Sequence, residues 1–137
     1  MKANPNTEAE IYKTMNRVLA AASEMKLDEL MSFFLSDPDV TLITIEKAEK
    51  YVGLENIRSH LKETFNQAAQ ISSAELEDPI ISENGGVAWI ATGVKAQFKV
   101  SGETVNIYYR NTTTFKKQND KWLIAQMHNS APMEVPE

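Results

Sequence analysis

The chain of 137 residues contains no cysteine and only two histidines, and each scarcity excludes a class of chemistry. Without cysteine the chain can form no disulfide, thiolate nucleophile or cysteine-ligated metal site. Two imidazoles are too few for a dedicated transition-metal site, so we expect no bound metal and no cofactor. Any catalysis would therefore depend on carboxylates, amides, hydroxyls or those two imidazoles.

The chain also lacks an excess of positive charge and a long apolar run. Fourteen Lys and Arg residues against nineteen Asp and Glu residues give a net charge of −5, which would not attract nucleic acid or an anionic membrane. No run of about 18 apolar residues is present, and the first ten residues contain no apolar signal segment. We therefore expect a cytoplasmic protein that binds neither nucleic acid nor membrane.

The length and composition are those of a single globular domain. A chain of this size buries roughly two thirds of its surface when it folds, and its 42% hydrophobic content is ordinary for such a domain. We expect one domain over residues 1–137, with an ordered core over about 8–132. Residues 133–137, which follow Pro132 and include Pro136, are expected to form an irregular tail.

Apolar residues recur at helical spacing in the first half of the chain. Thr7 and Glu10 have the spacing of a capping box and predict that the first helix begins there. A shorter second helix is predicted over 28–34. The apolar stripes of the first and third helices are Ile11, Met15, Val18, Ala22 and Met25, and Leu54, Ile57, Leu61, Phe65 and Ala68.

The second half of the chain has the texture of β-structure. A short strand is expected over 40–45, and Gly53 ends a second extended piece. Longer strands are expected over 71–82, 87–100, 103–117 and 121–129, separated by turn residues. Helices followed by strands predict the α+β class, with an antiparallel meander of four strands.

Four segments of the chain resemble the SnoaL-like proteins: YVGLENIRSHL over 51–61, VAWIA over 87–91, RNTTTF over 110–115 and WLIAQMHNSAP over 122–132. The resemblance implies the nuclear transport factor 2-like cone, also called cystatin-like. In that fold three N-terminal helices pack in the concave face of a curved antiparallel sheet, and the protein is usually a dimer. Residues 122–130 also resemble the association (hub) domain of calcium/calmodulin-dependent kinases. Because this fold carries isomerases, dehydratases, cyclases, hydrolases, transport factors and assembly hubs, the resemblance does not decide the function.

Alternation along the last strand predicts which side chains face the helices. Leu123, Ala125, Met127 and Asn129 share the more apolar face, which we place on the concave side. Together with the neighbouring strands this face predicts an apolar cavity with few polar groups, as in small-molecule sites. The alternative is that the protein's own side chains fill the cavity. The candidate ligand-binding residues are Trp89, Tyr109, Asn111, Thr113, Met127, Asn129, Phe33 and Tyr51.

The opposite face of the same strand would then carry Trp122 and Ile124. Large apolar side chains on an open sheet predict a homodimer that packs sheet against sheet, unless the chain's own loops cover them. The candidate interface residues are Trp122, Ile124, Arg110 and His128. Arg110 lies in mid-strand, where its guanidinium would pair with a carboxylate or hold an acidic ligand.

Resemblance to ketosteroid isomerase implies three catalytic positions, and this chain departs from the pattern at each. The position of the general base is occupied by Thr44, that of the phenol donor by Val18, and that of the protonated carboxylic acid by Asn111. The remaining candidates for acid–base catalysis are His128, Asp39 and His60. The acidic residues of the loop over 46–50 have the pattern of a solvated lid.

Three hypotheses follow from the sequence. The leading one is a SnoaL-like domain whose apolar pocket binds a small organic molecule, with no identifiable catalytic base. The second is a dimeric assembly or interaction module without chemistry. The third is an isomerase-like or cyclase-like enzyme.

Overall fold

The computed structural model of the chain describes residues 1–67 and 70–133. Three helices and two short strands precede four long strands. The elements are α1 (Pro5–Ser23), α2 (Leu27–Ser32), β1 (Thr41–Ile43), β2 (Lys50–Val52), α3 (Leu54–Gln67), β3 (Gln70–Asn84), β4 (Val87–Val100), β5 (Glu103–Gln118) and β6 (Lys121–Ser130). The α+β class predicted from the sequence is confirmed. Ala68, predicted to be part of the third helix, lies outside the described residues.

Helix α1 begins three residues before the predicted start. Asn4 is the N-cap, and its side-chain oxygen accepts a hydrogen bond from the Thr7 backbone N–H at 2.9 Å. Pro5 occupies the first turn, where its missing N–H costs nothing. Thr7 is therefore not the cap, and its hydroxyl instead donates to Oε2 of Glu83 at 2.9 Å. The capping-box prediction was wrong because the stronger Asn–Pro start signal precedes it.

All six strands form one mixed sheet in the order β2-β1-β6-β5-β4-β3. Strand β1 runs parallel to β6, whereas every other pairing is antiparallel. The expected wholly antiparallel sheet was therefore wrong at one pairing. The chain leaves α2 alongside β6, where the Leu35 N–H donates to the Ile124 carbonyl and the Ile124 N–H donates to the Phe33 carbonyl, each at 2.8 Å. It then continues in the same direction into β1, which makes that pairing parallel.

A β-bulge in β6 changes which side chains face the helices. Thr114 pairs with Gln126 and Phe115 pairs with Ile124, so Ala125 has no partner in β5. An extra residue reverses the alternation of the side chains on either side of it. Consequently Trp122 and Ile124 lie in the core of the protomer, with exposed fractions of 6% and 0%. Their predicted placement on the outer face of the sheet was wrong.

Strand β4 also presents the opposite face from the one predicted. Ala88, Ile90 and Val94 are buried against the helices, while Trp89 alternates with them and lies on the outer face beside Thr114. The predicted concave placement of Trp89 was wrong. The strand itself carries the signal, because Lys95, Gln97 and Lys99 share the face of Trp89 and are exposed, whereas the face of Ile90 is almost wholly apolar.

The core lies between α1 and the concave face of the sheet. Ile11 and Met15 of α1 are fully buried in one cluster with Ile90, Phe115 and Ile124. Residues 131–133 form neither helix nor strand, and the rest of the predicted tail lies outside the described residues. None of the described helices is long and apolar enough to cross a membrane.

Candidate functional site

A cavity of about 330 Å³ lies between the three helices and the concave face of the sheet. Its walls are mostly apolar: α1 contributes Met15, Val18 and Ala22, while Phe65 of α3 and Phe98 of β4 lie on other sides. The polar side chains that line it are Thr44, Glu46, His60, Thr64, Tyr109, Asn111 and Asn129. An apolar lining with a few polar groups is the usual composition of a small-molecule site.

A directional chain of hydrogen bonds lies at the β5–β6 side of this cavity. The Thr113 hydroxyl donates to Oδ1 of Asn111 at 2.7 Å, and Nδ2 of Asn111 donates to Oδ1 of Asn129 at 2.6 Å. Asn111 and Asn129 are direct cross-strand partners, which holds the two amides together. Both residues line the cavity, whereas Thr113, two residues further along the same face of β5, is fully buried and does not line it.

Tyr109 lies two residues before Asn111 and therefore on the same face of β5. Burial of the phenol raises its pKa, the nearby Glu46 carboxylate raises it further, and the resulting pKa is about 12. The phenol is therefore protonated at neutral pH and can donate a hydrogen bond into the cavity.

Thr44 follows the end of β1 and carries a buried hydroxyl. Its Oγ1 has no hydrogen-bond partner among the described residues. In the parallel pairing of β1 with β6, Leu42 lies opposite Met127, and both residues line the cavity. Thr44 lies two residues after Leu42, so it continues this line, and its side chain also lines the cavity although its hydroxyl oxygen is itself buried.

Glu46 and His60 lie at the mouth of the cavity, where an adjoining surface groove is lined by both. The His60 ring stacks on Tyr51, with 3.9 Å between ring centroids and an interplanar angle of 14°. The sequence-based interpretation placed Glu46 in a solvated loop and missed it as a cavity residue. The sequence carried no signal for it, because the chain bends at residues 45 and 46 and the neighbouring Ile45 lines the cavity as well.

Among the predicted ligand-binding residues, Tyr109, Asn111, Met127 and Asn129 line the cavity. Thr113 does not line the cavity but holds the Asn111 oxygen through its hydroxyl. Three others lie away from it: Trp89 is on the outer face, Phe33 at the end of α2, and Tyr51 in a neighbouring groove with Lys47 and Glu63. A ligand-binding role for any of these residues stays a prediction.

The positions implied by the ketosteroid isomerase resemblance meet at this cavity, but none of them carries an ionisable group. Val18, Thr44 and Asn111 all line it. Among the predicted acid–base candidates, only His60 lies beside it. Asp39 is exposed in a turn, where its backbone N–H donates to Oδ1 of Asp37 at 2.8 Å, and His128 is exposed on the outer face.

The outer face of the sheet carries a mixed surface. Arg110 is exposed there and forms no ion pair with any described residue. Tyr108 lies over Gly93, where an added Cβ would come within 2.6 Å of the phenol oxygen. Ile80 is 68% exposed on the same face, beside Ala91, and Trp89 is half-buried nearby.

A larger depression of about 440 Å³ lies at the start of α1, but its lining does not suit an organic ligand. It is lined by polar and charged residues that include Asn4, Glu10 and Lys117. Within the described parts of the chain, no three histidine, aspartate or glutamate side chains are grouped as metal ligands would be. The cavity between the helices and the sheet is therefore the candidate functional site.

A sequence model of the SnoaL-like domain matches residues 11–134, which is most of the chain. The chain belongs to the SnoaL-like domain family. The match includes every cavity residue named above. No curated protein sequence matches this SnoaL-like chain.

Solved structures with the same fold cover nearly the whole SnoaL-like chain. A candidate dehydratase of the nuclear transport factor 2-like family from Streptomyces avermitilis matches at a TM-score of 0.85 and 16% identity, covering 96% of this chain and 100% of that one. A protein of unknown function with a cystatin-like fold from Nostoc punctiforme matches at 0.81 and 15%, covering 99% and 98%. A candidate calcium/calmodulin-dependent protein kinase II association domain from Xanthomonas campestris matches at 0.79 and 18%, covering 98% and 91%. These similarities confirm the predicted nuclear transport factor 2-like, cystatin-like fold.

Proposed function

We propose that this SnoaL-like domain binds a small, largely apolar organic molecule in the cavity between its helices and its sheet. The observation that carries the proposal is the cavity itself, about 330 Å³ of space with an apolar wall and a few convergent polar groups. That volume is at the lower end of the range of small-molecule sites. The alternative considered from the sequence is that the protein's own side chains fill the space.

The cost of leaving such a space empty supports the same proposal. The apolar wall makes contact with neither side chains nor any other apolar group where it faces the cavity. A bound apolar molecule would supply those contacts and remove the wall from water, so occupancy would stabilise this part of the fold.

The test is thermal stabilisation by a panel of small metabolites, with one variant that blocks the cavity. Ala22 lines the cavity from α1, whereas Ala20 is exposed on the same helix. A ligand at 100 times its Kd should stabilise the native chain by about 2.7 kcal/mol. Ala22→Phe should abolish that gain and Ala20→Phe should retain it. A panel that stabilises Ala22→Phe as strongly as the native chain would contradict the proposal.

The second candidate function is self-association through the outer face of the sheet. Two observations favour it: Ile80 and Tyr108 are exposed on the face that also carries Trp89, and one similar structure is that of a candidate association domain. The sheet-to-sheet homodimer predicted from the sequence is therefore proposed again, but without Trp122 and Ile124, which belong to the core. Arg110 and His128 stay among the proposed interface residues.

Sedimentation velocity distinguishes this candidate from a monomer. Ile80→Asp places a charge on the proposed interface at a position exposed enough to leave the fold intact, and Ala20→Asp provides a control on α1. We expect the native chain and the control to sediment as dimers, and Ile80→Asp to sediment with a larger monomer fraction. A native chain that sediments as a monomer at tens of micromolar would refute the proposal.

A further inference from the structure

We propose that the molecule bound in the cavity carries no negative charge and presents a hydrogen-bond-accepting oxygen, such as that of a ketone, ester or amide, to the pair Asn111 and Asn129. This inference rests on the proposed function and specifies the chemical class of the ligand. It depends on three features of the described residues: the direction of the hydrogen bonds at the β5–β6 side, the charges along the cavity wall, and the neighbouring phenol of Tyr109.

The hydrogen bonds of the asparagine pair leave N–H donors for a ligand. Thr113 donates to Oδ1 of Asn111, so the amide nitrogen of Asn111 points the other way and donates to Oδ1 of Asn129. Each amide oxygen therefore already accepts one hydrogen bond. Each amide nitrogen carries two N–H donors, so Asn111 retains one and Asn129 retains two. Among the described residues, no other side-chain hydrogen bond uses them.

The charges along the wall disfavour an acidic ligand. No lysine or arginine lines the cavity within the described chain, and the one carboxylate that does is Glu46. An anionic ligand would lose its hydration without gaining a cationic partner, and it would be repelled by Glu46. A neutral oxygen accepts the same hydrogen bonds at a much smaller desolvation cost.

A phenol near the asparagine pair fits the same class of ligand. Tyr109 lines the cavity two residues before Asn111, and its phenol is protonated at neutral pH, as that of an ordinary tyrosine is; burial raises its pKa further, to about 12. It can therefore donate to the same oxygen as the asparagine pair. A carbonyl oxygen has two lone pairs and can accept from two of these groups at once.

The test compares three probes that share one ring system: 2-acetylnaphthalene, 2-isopropylnaphthalene and 2-naphthoate. They present, respectively, a neutral acceptor, no polar atom and a carboxylate. Isothermal titration calorimetry on the native chain should give the ketone an affinity about 10-fold higher than that of the hydrocarbon, as expected for one net hydrogen bond. The carboxylate should bind more weakly than the ketone.

Two variants, Asn129→Leu and Gln126→Leu, test whether the preference for the ketone depends on the asparagine pair. Asn129 lines the cavity, whereas Gln126 is exposed on the outer face of the same strand. Asn129→Leu should reduce the affinity for the ketone to that for the hydrocarbon, and Gln126→Leu should change neither. If Asn129→Leu fails to fold, the comparison of the three probes on the native chain still decides the question.

The possible failures of the two proposals can be told apart. The inferred ligand class is overturned if the ketone and the hydrocarbon bind with equal affinity, or if 2-naphthoate binds more tightly than the ketone. In either case the probes still bind in the cavity, so the proposed function stands. Absence of binding by all three probes at their solubility limits overturns the inferred ligand class, while the metabolite panel with Ala22→Phe still decides the proposed function. Ketone selectivity that survives in Asn129→Leu overturns the assignment to the asparagine pair.

Discussion

Asn111 donates a hydrogen bond to Asn129 across the β5–β6 pair, with 2.6 Å between Nδ2 and Oδ1. The two amides are oriented by a third residue, Thr113, whose hydroxyl holds the Asn111 oxygen. A buried group of this kind contributes specificity only when every member is satisfied. The orientation of the cavity's polar side is therefore determined by a side chain that does not itself line the cavity.

Thr113→Val should destabilise the protein by about 1–3 kcal/mol, because it keeps the shape of the side chain and leaves Oδ1 of Asn111 buried without its donor. Urea denaturation measures the change. Thr112→Val is the matched control on the exposed face of the same strand, and its effect should be within about 0.5 kcal/mol. Equal effects of the two substitutions would contradict the hydrogen-bond chain.

The stability of the native chain should fall between about pH 10 and pH 12 because of Tyr109. Its pKa is about 12 in the folded protein and 10.0 for an ordinary tyrosine, so the unfolded chain loses the phenol proton first. The contribution of the buried neutral phenol is complete below pH 10 and is lost as the pH rises towards 12. The loss should reach about 2 kcal/mol in urea denaturation. Tyr109→Phe should not lose this stability between pH 10 and pH 12. If the unfolding free energy of both proteins depended on pH in the same way, the role of Tyr109 would be refuted.

Trp122 and Glu10 should be energetically coupled, because Nε1 of the indole donates to Oε2 of the carboxylate at 2.7 Å. A double-mutant cycle with Trp122→Phe and Glu10→Ala should give a coupling of about 1 kcal/mol. The other tryptophan provides the control: the cycle of Trp89→Phe with Glu10→Ala should give a coupling near zero. A comparable coupling in both cycles would contradict the placement of Trp122 in the core.

Asn4→Ala should cost about 1 kcal/mol in the free energy of unfolding, because it removes the acceptor for the Thr7 backbone N–H at the start of α1. Asn6→Ala is the control, since Asn6 is exposed within the first turn and is not the cap. Chemical denaturation should give a clearly larger loss of unfolding free energy for Asn4→Ala than for Asn6→Ala. If Asn6→Ala were the more damaging substitution, the cap would be misassigned.

More of the fold than of the candidate site could be predicted from the sequence. The four long strands, their turns and the three helices follow from local signals, and the strand predicted over 87–100 matches β4 at both ends. Tyr109 and Asn111 were placed correctly on the concave face of β5, because that strand has no bulge between them and Phe115. Glu46 was missed because an exposed acidic loop looks the same in sequence whether or not it borders a cavity.

The amino-acid sequence by itself determined the α+β class, the order of the elements and the absence of cysteine chemistry, since each depends on composition or on short-range periodicity. Only the tertiary structure decided which face of β6 meets the helices. Side chains alternate with a period of two, so the single unpaired residue at Ala125 exchanges core and surface for Trp122 and Ile124. Such a bulge is set by pairing with a strand elsewhere in the chain, and the cavity with its asparagine pair exists only once that pairing is made.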